Sequence, residues 1–179
     1  MTQYVRYSVD PAESAGAAIP AHSVGRHYAE HAKELGLIVG KRARNIDAAG
    51  WRDYVWGYTC ANDVTARDLQ CKDGQWTRGK GFDTFCPVGR SAVPAAEVEF
   101  ESLRVETSLD DWCVQSAPAT DMIFGPGAVL AYVSQFLTLE PGDLIATGTP
   151  SGVGPMQVGS KVRVVVAGVG AVENTIVGE

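Results

Sequence analysis

Reactive side chains are dense in residues 62–90, and the first group of them is the segment NDVTARDLQ at residues 62–70. Asp63 directly follows an apolar run, so its carboxylate could bind a hard cation such as Mg²⁺ or Mn²⁺. A strand-to-helix cap containing an internal Arg67–Asp68 ion pair explains the same residues without a ligand. The spacing alone favours this second interpretation, because ion pairs of this kind are common on protein surfaces.

Two further segments combine glycines with polar or charged side chains. In WTRGKGFDTF, residues 76–85, Lys80 lies between glycines and aromatic residues and could face a metal-bound anion, or could be an ordinary solvated lysine. In TGTPSGVG, residues 147–154, backbone N–H groups and threonine hydroxyls suit a carboxylate or phosphate. A plain β-turn explains that segment equally well, and the absence of a Gly-Lys-Ser/Thr sequence excludes a Walker loop.

His31 and Glu34 form the fourth candidate pair. Good helix formers fill residues 27–35 and stop at Gly36, so the composition predicts a helix there. On a helix, His31 and Glu34 would share a face at i, i+3, and the carboxylate could orient the imidazole as a general base for water. The alternative is a surface helix, on which such pairs are frequent.

The elements that must position these side chains are short strands and a few short helices. Asp47 is predicted to cap a short helix that runs to about residue 55, and residues 128–137 have the apolar spacing of an amphipathic helix. Residues 62–90 have little periodicity and are predicted to form a functional loop. The absence of a repeat and of a βαβ pattern favours a strand-rich α+β fold. Strands are predicted at residues 37–39, 57–61, 144–146, 162–166 and 172–177.

Composition narrows the classes of partner. The 179 residues include 15 Lys and Arg against 21 Asp and Glu, a net charge of −6, which argues against nucleic acid or an anionic membrane as a partner. We find no apolar run long enough for a membrane span and no signal-peptide pattern, so we expect a cytoplasmic protein. Its four cysteines show no C-x-x-C spacing, which excludes the usual zinc cage and redox pair.

Taken together, these motifs resemble the fumarylacetoacetate hydrolase family, in its small acylpyruvase-like branch. The resemblance covers nearly everything after residue 24 in the family's order, so we expect a shortened N-terminal segment, residues 1–23, and a catalytic domain, residues 24–179. It rests on VGRHYAEHAKE (24–34), GKRARN (40–45), GYTCANDVTARD (57–68), QWTRGKGFDTF (75–85), TDMIF (120–124), LEPGD (139–143) and the TGTP loop.

The resemblance implies a mixed β-sandwich roll, a homodimer, and a Mg²⁺ or Mn²⁺ site that binds a small 2-oxo acid. The implied function is hydrolysis of a C–C bond in an acylpyruvate such as fumarylpyruvate, in the breakdown of aromatic compounds, with oxaloacetate decarboxylation as a related activity. A divalent ion would chelate the 2-oxo acid and stabilise the enolate that develops as the bond breaks. An isomerase of the 2-hydroxyhepta-2,4-diene-1,7-dioate type is the alternative within the same fold.

Family roles transfer to individual residues of this sequence. By resemblance, Asp63 is a metal ligand, Lys80 stabilises the anionic intermediate, and Thr149 binds the substrate carboxylate. Gln70, with Arg67 beside it, positions the substrate. The family's lid helix carries a His-x-x-Glu dyad that activates water, which matches His31 and Glu34.

One departure from the family pattern concerns the metal ligands. The family has several dozen residues between the lid motif and the Gly-Lys-Arg segment, and they end in a Glu-x-Glu pair of ligands. Here that stretch is missing between residues 34 and 37. Aligned from Lys41, the second ligand falls on Glu34 and the first on Ala32. Glu34 therefore has two implied roles, and a truncated, non-catalytic relative of the family remains an open alternative.

Overall fold

The computed structural model describes residues 19–20 and 29–177. Strands dominate this part of the chain, and the helices are short. The strands are β1 (Ile19–Pro20), β2 (Ala29–His31), β3 (Lys33–Val39), β4 (Val55–Asn62), β5 (Thr65–Ala66), β6 (Val93–Pro94), β7 (Arg104–Leu109), β8 (Trp112–Pro118), β9 (Leu144–Ala146), β10 (Gly154–Pro155), β11 (Lys161–Val166) and β12 (Gly170–Val177). The α-helices are α1 (Arg67–Asp73), α2 (Thr77–Lys80) and α3 (Pro126–Phe136), and 3₁₀ helices span Ala48–Tyr54, Phe100–Ser102 and Ala119–Asp121.

The strands form three sheets. Their orders are β1-β12-β11-β7-β8, β6-β4-β3-β9 and β10-β2-β5. Strand β1 runs parallel to β12, and the other pairs within the described residues are antiparallel, so the sheet set is mixed. The predicted strand-rich α+β class is confirmed.

The main core lies between the four-stranded and five-stranded sheets. Its side chains come from strands with alternating burial, because every second residue of strands such as β7 and β11 faces inward. Trp51 packs edge-on against Phe100, with ring centroids 5.7 Å apart, and closes one end of this core. Its other members include Leu37, Tyr58, Val105, Leu130 and Val164.

Helix α3 confirms the helix predicted at residues 128–137. It buries Val129, Leu130 and Val133 and packs against the 3₁₀ helix Ala48–Tyr54. Asp47 caps that 3₁₀ helix as expected, accepting a hydrogen bond from the N–H of Ala49 at 2.8 Å. Among the described residues, no helix has the length and apolar character needed to cross a membrane.

The helix predicted at residues 27–35 is wrong within the described residues. Residues 29–31 form β2 and residues 33–39 form β3, a central strand between β4 and β9. Residues 27 and 28 lie outside the described residues. Seven backbone pairs with β4 and burial along nearly all of β3 outweigh the modest helix propensity of Lys33, Glu34 and Leu35.

The loop predicted at residues 62–90 is more ordered than expected. It contains β5 and the short helices α1 and α2. Gly74 ends α1 in the left-handed conformation, with φ of 64°. The region is nevertheless a connection rich in polar side chains, and it brings three of the candidate residues to one place.

Candidate active site

The β3–β4 ladder places Glu34 and Asp63 together. Glu34 pairs with Ala61, and Lys33 pairs with Asn62, the last residue of β4. Extending this register by one residue puts Ala32 opposite Asp63, whose N–H donates to the Ala32 carbonyl at 2.7 Å. Because side chains alternate along a strand, Ala32, Glu34 and Asp63 share one face of the ladder.

Lys80 reaches the same point from α2. Its ammonium contacts the Asp63 carboxylate, and both side chains are buried. The ammonium also lies 5.8 Å from the centroid of the Trp76 ring, which favours a cation there. The structure therefore joins Glu34, Asp63 and Lys80, three residues that the sequence analysis singled out separately.

Burial disfavours the ionised form of both carboxylates. Burial, followed by the neighbouring negative charge of Asp63, raises the pKa of Glu34 to about 8, against a hydrogen bond from Gly148 and the charge of Lys80. Burial also raises the pKa of Asp63, and the ammonium of Lys80 opposes this shift. A cation placed between these carboxylates would offset the cost of ionising both.

This donor set fits a divalent ion that keeps water or substrate among its ligands. Mg²⁺ is commonly bound through one or two carboxylates, with waters and substrate oxygens completing the shell. Glu34 and Asp63 supply that number, and no group of three His, Cys, Asp or Glu side chains suited to a metal occurs among the described residues. Ala32 borders the site without a donor atom in its side chain.

Arg67 and Gln70 lie at the start of α1 and line the same cavity. The guanidinium of Arg67 donates from Nε to Glu30 at 2.8 Å and also hydrogen-bonds the Gln70 amide oxygen. The pair has the i, i+3 spacing of one helix face. Arg67 thus restrains the Gln70 side chain, whose amide nitrogen remains available to a ligand.

The loop after β9 lies beside Glu34. Gly148 has φ of 98°, which favours glycine, and its N–H donates to the Glu34 carboxylate at 2.9 Å. Thr149 follows and borders the cavity. The sequence analysis predicted that backbone N–H groups of this loop would bind a ligand, and one of them, that of Gly148, instead binds the Glu34 carboxylate.

His31 does not form the predicted helical dyad with Glu34. The two residues lie on β2 and β3, so the i, i+3 geometry of a helix is absent. His31 is 1% exposed, and the described walls of the cavity do not include it. Burial lowers the pKa of its imidazole, partly offset by hydrogen bonding to the Gln115 side chain. The assignment of His31 as a general base stays a prediction.

Two residues near the site were missed by the sequence analysis. Lys33 is fully buried, and its ammonium donates to the Val105 carbonyl at 2.6 Å. Gln115, on β8, is 3% exposed and hydrogen-bonds the Thr149 loop. No sequence pattern marked either residue for the site. Lys33 lies within the helix predicted at residues 27–35, and Gln115 lies in none of the motifs.

Most of these groups, but neither His31 nor Gln115, border one cavity of about 680 Å³. Its floor is charged and its rim is apolar, so it can take an anionic head group with a carbon chain attached. The charged and polar members are Lys33, Glu34, Asp63, Arg67, Gln70, Lys80 and Thr149, and the rim includes Trp76, Met122, Ile123 and Phe124.

Known relatives match the whole of this architecture. The model of the fumarylacetoacetate (FAA) hydrolase C-terminal family matches residues 11–177. The mitochondrial oxaloacetate decarboxylase of Dictyostelium discoideum is 40% identical over 155 residues, covering 84% of this chain and 69% of the relative. The chain spans between 57% and 69% of the length of the first curated relatives that it matches.

Solved structures agree with the fold. The 2-hydroxyhepta-2,4-diene-1,7-dioate isomerase from Mycobacterium marinum has a TM-score of 0.84 at 39% identity, covering 93% of this chain and 64% of that one. The fumarylpyruvate hydrolase from Pseudomonas aeruginosa, in complex with Mn²⁺ and pyruvate, has a TM-score of 0.84 at 29% identity, covering 93% and 72%. The chain belongs to the fumarylacetoacetate hydrolase family, through the C-terminal domain that defines its fold.

Proposed function

We propose that this chain is a divalent-metal-dependent enzyme that hydrolyses the C–C bond between the acyl carbonyl and the methylene carbon of an acylpyruvate, with a homodimer as the working form. The observation that carries the proposal is the cluster of two neighbouring buried carboxylates, Glu34 and Asp63, at the cavity wall, where Asp63 contacts the Lys80 ammonium. Similarity to a hydrolase that binds Mn²⁺ with pyruvate supports it.

The residues around the cavity have different proposed roles: metal binding, stabilisation of the oxyanion and positioning of the substrate. Glu34 and Asp63 would hold Mg²⁺ or Mn²⁺, which supplies Lewis-acid stabilisation of the oxyanion that develops on a 2-oxo acid. Lys80 contributes a positive charge beside the same oxyanion. Thr149 donates to the substrate carboxylate, and Gln70, restrained by Arg67, orients the carbonyl group.

Hydrolysis of an acylpyruvate also needs a water that is deprotonated as it attacks the acyl carbonyl. The carbon–carbon bond then breaks, the electron pair stays on the pyruvate fragment as an enolate, and a proton completes pyruvate. His31 is the group proposed as the base. To act, its ring must approach the cavity from its buried position on β2.

The placement of His31 favours a second candidate, decarboxylation or tautomerisation of a substrate such as oxaloacetate or a hydroxydienoate. Decarboxylation of oxaloacetate produces the enolate of pyruvate and tautomerisation passes through the enolate of the intact substrate, and neither reaction needs an attacking water. They would use Lys80 and the two carboxylates that already line the cavity. Similarity to an oxaloacetate decarboxylase and to a heptadienedioate isomerase supports this candidate.

One set of assays separates these activities. The purified protein is given acetylpyruvate, fumarylpyruvate or oxaloacetate with Mn²⁺, Mg²⁺ or EDTA, and pyruvate release is measured alongside enol–keto conversion. The proposal expects turnover that requires the metal and is lost in Asp63→Asn. Loss of hydrolysis alone in His31→Ala identifies a hydrolase, whereas turnover that survives EDTA contradicts the metal mechanism.

The same assays test the non-catalytic alternative. Calorimetry that detects no Mn²⁺ or Mg²⁺ binding at millimolar concentration, together with no turnover of any of the three substrates, would favour a truncated relative of the family. The intact mass of the expressed chain shows whether the stretch missing between residues 34 and 37 is absent from the protein itself.

A further inference from the structure

Gln115 connects the five-stranded sheet to the loop that carries Thr149. Its amide nitrogen lies 3.2 Å from Thr149 Oγ1, 2.9 Å from the Pro150 carbonyl oxygen and 3.3 Å from the Ser151 carbonyl oxygen. Gln115 is 3% exposed, whereas Thr149 and Ser151 are exposed, so these contacts are shielded from water on the Gln115 side only. One side chain therefore binds three successive residues of the loop.

The backbone of the loop is fitted to the same strand. Gly152 has φ of 100°, and a Cβ placed on it would lie 2.4 Å from the Val114 carbonyl oxygen and 2.9 Å from Gln115 Cγ. A glycine is therefore required where the loop meets β8. At the other end, the N–H of Gly148 donates to Glu34. Thr149 is thus held between two anchors, Glu34 and Gln115.

The opposite end of the Gln115 amide has unused hydrogen-bonding capacity. Within the described residues, Gln115 Oε1 and His31 Nδ1 are both buried without a hydrogen bond of normal geometry. Buried polar atoms of this kind cost free energy and occur where a group acts in function. His31 and Gln115 border the same short segment, since His31 pairs with Gly154 on β10 and a Cβ on Gly152, two residues earlier, would lie 2.9 Å from Gln115 Cγ. The Gln115 side chain also opposes the lowering of the imidazole pKa by burial.

We propose that Gln115 is a positioning residue of this site: its amide nitrogen fixes the Thr149 loop, and its amide oxygen orients the His31 imidazole. This inference rests on the proposed function, because it takes Thr149 as the group that binds the carboxylate of a 2-oxo acid. A single buried amide would then link carboxylate binding to the placement of the proposed base. No proton or electron is transferred to Gln115.

The test compares Gln115→Met, which keeps the side-chain volume, and Gln115→Glu, which keeps the shape but removes the donor, with the control Cys113→Ser on the same strand. Oxalate binding in the presence of Mn²⁺ is measured by calorimetry, and amide hydrogen exchange is followed in residues 148–152. We expect both Gln115 variants to bind oxalate about tenfold more weakly, equivalent to about 1.4 kcal/mol, and to exchange these amides faster. The control should match the wild type in both measurements.

Two outcomes overturn the proposal. Oxalate affinity and loop exchange within twofold of the wild type in Gln115→Met would show that the amide has no positioning role. A changed melting temperature of Gln115→Met with unchanged amide exchange in residues 148–152 would show that Gln115 stabilises the fold as a whole and does not position the loop. If the wild type binds no oxalate with Mn²⁺, the proposed function fails, but unchanged exchange in the loop of Gln115→Met still rejects the positioning role, and faster exchange supports it.

The link to His31 has its own readout. If the Gln115 amide oxygen orients the imidazole, Gln115→Met, which has no acceptor oxygen, lowers kcat for acylpyruvate hydrolysis and leaves the rate of oxaloacetate decarboxylation at saturating substrate unchanged. If it holds only the loop, KM rises for both substrates and kcat stays at the wild-type value, which would contradict the His31 half of the proposal.

Discussion

Ala32 lies directly opposite Asp63, and the two are joined by a backbone hydrogen bond of 2.7 Å. Ala32 is 4% exposed and borders the cavity on the face that carries Glu34. A side-chain carboxylate at position 32 would therefore join those of Glu34 and Asp63 as a third carboxylate at the same site. We therefore expect Ala32 to limit the affinity of the proposed site for a divalent cation.

We expect Ala32→Glu to raise the affinity for Mn²⁺ by roughly tenfold, because the number of charged ligands is a main determinant of affinity for hard cations. Titration calorimetry on the wild type and the variant measures the change. Asp73→Asn, which removes a carboxylate paired with Arg78 away from the cavity, is the matched control. Unchanged or weaker binding in Ala32→Glu would contradict this account of the site.

Lys80 and Asp63 should depend on each other for stability. Lys80→Met leaves the buried carboxylate of Asp63 without its ammonium partner, so we expect unfolding free energy to fall by about 3 kcal/mol at neutral pH. The double variant with Asp63→Asn should recover most of this loss, because the stranded charge is then absent. Urea unfolding of both single variants and the double variant measures the coupling free energy between Lys80 and Asp63. If the losses of the two single variants add up to the loss of the double variant, the two side chains do not stabilise each other.

Lys33 should make stability depend on pH above neutrality. Burial lowers its pKa from 10.5 to about 8, so the folded state disfavours the ammonium. Between about pH 8 and 10.5 the unfolded chain binds more protons at this site, so this contribution to stability rises with pH. We expect Lys33→Met to be more stable than the wild type at pH 7 by about 1–3 kcal/mol. The difference should shrink as pH approaches 10.5.

Chemical denaturation of the wild type and Lys33→Met at pH 7, 9 and 10 measures that difference. Lys161→Met, on an exposed lysine of β11, controls for general effects of charge removal. A gap between the wild type and Lys33→Met that stays constant over this range would show that Lys33 titrates normally in the folded protein.

Gly127 should be essential to the packing of α3. A Cβ at this position would lie 2.4 Å from the Ala48 carbonyl oxygen and 2.8 Å from the Trp51 ring. Gly127→Ala must therefore push α3 away from the 3₁₀ helix, and we expect a loss of about 1–3 kcal/mol. At Gly125 a Cβ meets nothing within 4 Å, so Gly125→Ala is the control. Thermal melting that gives equal midpoints would contradict this packing.

Much of the fold could be predicted from the sequence. The alternation of valines in β11 and the apolar spacing of α3 report burial on one face, which is a local property of the chain. The segment at residues 29–35 could not be assigned in this way. Its helix propensity is a weak preference, and pairing of residues 29–31 with β5 and β10 and of residues 33–35 with β4 decided its conformation.

The sequence alone determined the family, the strand-rich class and the residue types of the site, because motifs and periodicity are carried by neighbouring residues. Only the tertiary structure decided that Glu34, Asp63 and Lys80 meet, that His31 is buried on β2 instead of sharing a helix face with Glu34, and that Lys33 is buried. These relationships depend on strand register and on contacts between sheets, which join residues far apart in the chain.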